Sequence, residues 1–127
     1  MAKILVIDDD LMMRGMIRDM LESKDYEIEE AATSEEGVAK FCTHRPDLVI
    51  TDLFIPSRGG LEIIKDIKAE DETAKIIAIS GIEVSGFGYR QDIDPKKLAL
   101  QNGALRTFKK PFRHEAFLSA IAELLAS

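Results

Sequence analysis

Three short apolar runs punctuate the chain, Ile4–Ile7, Leu48–Ile50 and Ile76–Ile79. Each is rich in β-branched residues and too short for a buried helix, so each predicts a strand. None alternates between apolar and polar positions, the habit of strands covered on both faces in a parallel sheet. Two weaker runs, Glu27–Ala31 and Leu105–Lys109, predict two further strands. Helical periods fill the gaps. Met13, Ile17, Met20 and Leu21 make one apolar stripe and predict a helix from about Leu11 to Lys24. Thr33 followed by Glu36 is a capping-box signal for a helix running to about Thr43. Gly60 precedes Leu61, Ile64 and Ile67, which predict a helix ending near Glu70. Asp94-Pro95 reads as an N-cap and first helical position for a short helix, about Pro95–Asn102. Phe117, Ile121 and Leu124 mark a last helix that runs to the end of the chain.

Strand followed by helix, repeated five times, calls for an α/β fold with a doubly wound parallel sheet. Right-handed crossovers then put helices on both faces. One stretch breaks the rhythm: GIEVSGFGYRQDID, from Gly81 to Asp94, holds three glycines and little period. Loops of that length are often functional. The length of 127 residues fits a single domain, 1–127, with no second domain expected. At 46% hydrophobic and 31% charged residues the composition is that of a folded globular chain. A formal net charge of −6 argues against a nucleic-acid surface. One cysteine, Cys42, rules out an internal disulfide and suits a reducing compartment. No apolar run approaches the ~18 residues of a membrane span, and no signal peptide is legible. The expected location is the cytoplasm, away from any membrane.

In a parallel sheet all strands end at one rim, and ligands bind beyond those carboxyl ends. Asp8, Asp9 and Asp10 follow the first strand, and Asp52 follows the third. Ser80 ends the fourth strand and Lys110 the fifth, so one crevice should receive carboxylates, a hydroxyl and an ammonium. Asp10 is expected to cap the helix that starts at Leu11 rather than to act chemically. For the others a purely solvated role is harder to sustain. Two carboxylates ~4 Å apart repel by about 4 kcal/mol at an effective dielectric of ~20. A proton or a cation must relieve that. With oxygen donors alone, and no His or Cys beside them, Mg²⁺ is the expected ion. A carboxylate next to Mg²⁺ and a lysine can also attack phosphorus.

The strings ILVIDDD, DLVITDLFIP with Gly59-Gly60, IIAISG and FKKPF stand in order at strand ends. Together they resemble the receiver domain of two-component response regulators, over essentially the whole chain. The resemblance implies a flavodoxin-like fold with strand order 2-1-3-4-5 and five flanking helices. It implies that Asp52 accepts a phosphoryl group from a histidine kinase or a histidine phosphotransfer protein. Asp8 and Asp9 would hold Mg²⁺ together with Asp52 and the backbone carbonyl of Phe54, Asp9 directly and Asp8 through water. Ser80 and Lys110 would contact the phosphoryl group. The Lys110-Pro111 peptide would be cis. The chain would be a stand-alone signalling receiver rather than an enzyme, assisting only its own phosphoryl transfer, and its output would pass to a downstream protein.

One departure concerns the switch. Where the family often carries Tyr or Phe, three residues before the lysine, this chain has Thr107, leaving Ser80 and Thr107 as switch candidates. Phe108, one step on, should face the core instead. Phe87 and Tyr89 in the long loop are substitute switch candidates. Phe54 and Ile82, both apolar, should flank the phosphoryl group and slow its hydrolysis. His44 and His114 are expected at the surface without a donor role. Cys42 should be partly buried, and the methionines of the first helix should be packing residues. A haloacid-dehalogenase-like phosphatase is the enzymatic rival, with Asp8 as nucleophile and Asp10 as acid-base. It leaves Asp52 unemployed and lacks a further acidic pair after Lys110.

Overall fold

The computed structural model describes residues 1–53, 60–80, 95–110 and 112–127. Its elements run β1 (Lys3–Ile7), α1 (Leu11–Glu22), β2 (Glu27–Ala31), α2 (Ser34–His44), β3 (Leu48–Asp52) and α3 (Gly60–Glu70). They continue with β4 (Ile76–Ser80), α4 (Pro95–Gln101), β5 (Arg106–Lys109) and α5 (His114–Ala126). The five strands form one parallel sheet in the order β2-β1-β3-β4-β5. This is the expected doubly wound, flavodoxin-like order. No helix among the described residues is long and apolar enough to cross a membrane.

Packing on both faces explains why the apolar runs of the central strands do not alternate with polar residues. Leu5, Ile7, Val49, Leu53, Ile76 and Ala78 pack on one side against Phe41 of α2 and Ile63, Ile64 and Ile67 of α3. Ile4, Val6, Leu48, Ile50, Ile77 and Ile79 pack on the other against Ile17 and Leu21 of α1 and Phe117, Ile121 and Leu124 of α5. Each strand therefore feeds both cores in turn, and a two-period polar face has nowhere to go.

The ends of the helices carry local signals. Asp10 caps α1, its Oδ1 accepting from the Met12 amide at 3.0 Å. Thr33 caps α2 through a 3.1 Å bond to its Oγ1 from the Glu36 amide. The reciprocal bond departs from the expected box: Glu36 Oε1 accepts from the amide of Ala32, one residue before the cap, at 3.2 Å. Gly37 lets α2 approach β1, since a Cβ there would lie 2.5 Å from Ile7 Cδ1 and 2.9 Å from its Cγ1.

Several surface expectations need correction. Cys42 is exposed, because the neighbouring Phe41 takes the inward position and one helical step carries the thiol about 100° away. Of the methionines in α1, Met13 and Met20 pack against the core, but Met12 and Met16 are exposed, as is Leu11. They lie outside the stripe that Ile17 and Leu21 define. His44 is at the surface as expected, and its Nδ1 stands 2.6 Å from Glu29 Oε2.

Candidate functional site

By strand parity, Asp8 continues the side of β1 that carries Ile4 and Val6, and Asp52 the side of β3 that carries Leu48 and Ile50. The β1–β3 register sets Ile7 opposite Thr51, so the two acids end neighbouring strands at the same height. Phe108 of β5 belongs to that same side, packed with Phe112 and Phe117, and Lys110 follows it by one pleat repeat. The lysine amide is held by the Ser80 carbonyl at 2.8 Å. Its ammonium crosses the sheet end to Asp52 Oδ2 at 3.1 Å and Asp8 Oδ2 at 3.4 Å. Lys109, by contrast, is exposed.

Asp8, Asp52 and Ser80 are buried, while Asp9 is exposed at the mouth. Carboxylate oxygens of Asp8, Asp9 and Asp52 all lie within 4.8 Å of one another. Three hard oxygen donors at that spacing, open to solvent through Asp9, fit a divalent cation that keeps some of its water, as Mg²⁺ does. They fit zinc poorly, since zinc sites are usually built on histidine and cysteine and this cluster has neither.

Electrostatics bear the mark of the crowding. Burial pushes the Asp8 carboxyl up to about 6 and the Asp52 charge pushes the same way, against the Asp10 amide and the Lys110 ammonium, which favour ionisation. For Lys110, burial works against the charged form, but Asp52 and Asp8 outweigh it and hold the ammonium above its ordinary range. The lysine is therefore a fixed positive charge at neutral pH.

Ser80 lies on the opposite parity to the acids, one pleat repeat from Ala78, which stands opposite Thr107. Thr107 and Ser80 thus share the sheet side that faces α2, α3 and α4, and Phe108 faces the other core, as expected. Asp10 spends an oxygen on the start of α1, which leaves it poorly placed as the acid-base of a phosphatase. Phe54, Gly59, Ile82, Phe87, Tyr89, Asp94 and the Lys110-Pro111 peptide lie outside the described residues.

The sequence reading missed Arg14 and Glu30. Arg14 Nη1 donates to the Asp8 carbonyl at 2.6 Å, and its Nε reaches Glu30 Oε1 of β2 at 3.3 Å. Spacing alone gave little sign of this, because Arg14 reads as a polar helix position and Glu30 as one acid in an acidic edge strand. The pairing emerges only once β2 lies beside β1.

Comparison with known proteins agrees with this arrangement. The family model for the response regulator receiver domain matches residues 4–122. The chemotaxis protein CheY of Bacillus subtilis is 36% identical over 124 residues, covering 97% of this chain and 97% of that protein. CheY of Listeria monocytogenes is 34% identical over 122 residues, covering 95% and 96%. Among solved structures, a response regulator receiver domain protein from Clostridium thermocellum superposes with a TM-score of 0.87 at 30% identity, covering 99% of this chain and 95% of that one. Motif order, strand order and relatives of matching length converge, and the chain belongs to the response regulator receiver domain family of two-component signalling.

Proposed function

We propose that this chain is a cytoplasmic receiver whose Asp52 takes a phosphoryl group from the phosphohistidine of a histidine kinase or phosphotransfer protein. An oxygen of Asp52 attacks phosphorus in line with the leaving imidazole, so that a P–O bond forms as the P–N bond breaks. The Lys110 ammonium pairs with the oxygens of the transferred group, and the Ser80 hydroxyl donates to one of them. Asp8, Asp9, Asp52 and the Phe54 carbonyl would hold Mg²⁺. When bound, that ion supplies charge neutralisation for the phosphoryl oxygens.

The observation that supports this reading most strongly is the reach of Lys110 Nζ to Asp52 at 3.1 Å and Asp8 at 3.4 Å, inside a cluster of three acids. A carboxylate held beside a fixed ammonium is preorganised for a dianionic substrate. Output then passes by protein contact, through a shift between two arrangements of the surface that Ser80 and Thr107 border. The chain assists its own phosphorylation and dephosphorylation and turns over no separate substrate.

Incubation with phosphoramidate and Mg²⁺ tests the proposal, read by intact-protein mass spectrometry. One phosphoryl adduct per chain is expected, absent in Asp52→Asn and absent in chelator. An adduct that persists in Asp52→Asn would defeat the assignment. Repeated turnover of a phosphate ester would favour the phosphatase instead.

A further inference from the structure

The acidic turn after β1 is held from outside the crevice. The Asp8 amide donates to the Ala31 carbonyl of β2 at 3.0 Å. Asp8 Oδ1 accepts from the Asp10 amide at 2.9 Å. The remaining backbone group of Asp8, its carbonyl, accepts from Arg14 Nη1 at 2.6 Å. That carbonyl is half of the peptide plane joining Asp8 to Asp9, so its direction sets the direction in which Asp9 leaves the backbone.

Arg14 is itself oriented. Its Nε donates to Glu30 Oε1 at 3.3 Å, while Glu30 Oε2 accepts from Arg18 Nη1 at 2.6 Å. The Glu30 carbonyl also accepts from Lys40 Nζ of α2. The Arg14 side chain is 13% exposed and that of Glu30 25%, which separates this pair from the freely solvated ion pairs that contribute little. A planar guanidinium can bridge a carboxylate and a carbonyl at once; an ammonium on a flexible stem cannot hold both in one plane.

We propose that Arg14, oriented by Glu30, is a positioning residue for the acidic pair, clamping the Asp8–Asp9 peptide so that Asp9 faces Asp52 before a cation arrives. The inference rests on reading Asp8, Asp9 and Asp52 as a cation site. Groups that orient ligands in this way typically change metal affinity by ~10–100-fold when removed. Arg14 lies outside the three-acid cluster that would hold the ion, and its effect appears in binding before any chemistry.

Isothermal titration of Mg²⁺ into the whole chain provides the test, with Asp52→Asn as the site control. Arg14→Met should weaken Mg²⁺ binding about tenfold. Arg14→Lys should recover little of that, because it keeps the charge but loses the bridge. Glu30→Gln should weaken binding in the same direction by less. The amide resonances of Asp9 and Asp10 should shift in Arg14→Met before any Mg²⁺ is added. Unchanged affinity in Arg14→Met, or wild-type affinity in Arg14→Lys, overturns the clamp, the second by reducing it to long-range charge. If Arg14→Met does not fold, Glu30→Gln carries the decision, and unchanged affinity there overturns the proposal. Wild-type binding that is lost in Asp52→Asn but intact in Arg14→Met removes the clamp alone. No binding by the wild type removes the cation site with it.

Discussion

Burying Asp8 beside Asp52 leaves an electrostatic conflict that a proton or a cation relieves. Its carboxyl titrates near 6 in the fold, above its ordinary 3.8, so between those values the folded state holds more proton than the unfolded one. Asp8's contribution to stability is therefore full below about pH 4 and is lost as pH rises through about 6. Asp8→Asn should stabilise the metal-free protein at pH 7.5 by roughly 1–2 kcal/mol and have little effect at pH 4. Urea denaturation in chelator at the two pH values checks this, and equal effects at both would contradict it. The residue identities were legible in the sequence because strand ends must share a rim. The division of labour within the site was not. Which acid is buried, and that Lys110 spans both, depends on which side of the sheet each strand turns at its last residue.

Two helical glycines make opposite predictions at the scale of elements. A Cβ on Gly15 of α1 meets nothing within 4 Å, so Gly15→Ala should stabilise by about 1 kcal/mol through helix propensity alone. A Cβ on Gly37 of α2 collides with buried Ile7, so Gly37→Ala should destabilise by about 1–3 kcal/mol despite the same propensity gain. Ile7→Val deletes the methyl that lies 2.5 Å away, and the double variant should be more stable than the two single changes predict by addition. Thermal unfolding of the four variants decides both. All five strands and all five helices were readable, from periodicity for most and from cap signals at Thr33 and Asp94-Pro95 for α2 and α4, to within a few residues at their ends. What periodicity missed was how helices present their outer faces. Cys42 and Met16 sit one helical step from buried Phe41 and Ile17, and an apolar residue adjacent to a stripe is indistinguishable from one inside it until the helix is docked.

For the whole molecule, cation binding and folding should be coupled. An ion that binds the fold but not the open chain adds about 2.7 kcal/mol at a hundredfold excess over its Kd. Mg²⁺ should therefore raise the unfolding midpoint, and Asp52→Asn should remove most of the rise. A midpoint indifferent to Mg²⁺ would count against the oxygen cluster as a binding site. The strand order was legible at this scale only through the resemblance to a known family. Strand alternating with helix supports a doubly wound sheet but does not by itself say that β1 lies between β2 and β3.

Beneath β5, Phe108 meets Phe117 edge-on at 5.3 Å and Phe112 at 5.9 Å. Slippage of this outer strand by a single residue would drag that ring from its aromatic nest and trade Lys110 for Lys109 at the crevice. Grease as well as charge therefore keeps the ammonium's address. Phe108→Ala should blur that address, slowing phosphoramidate labelling severalfold in a chain whose every polar group at the crevice is intact.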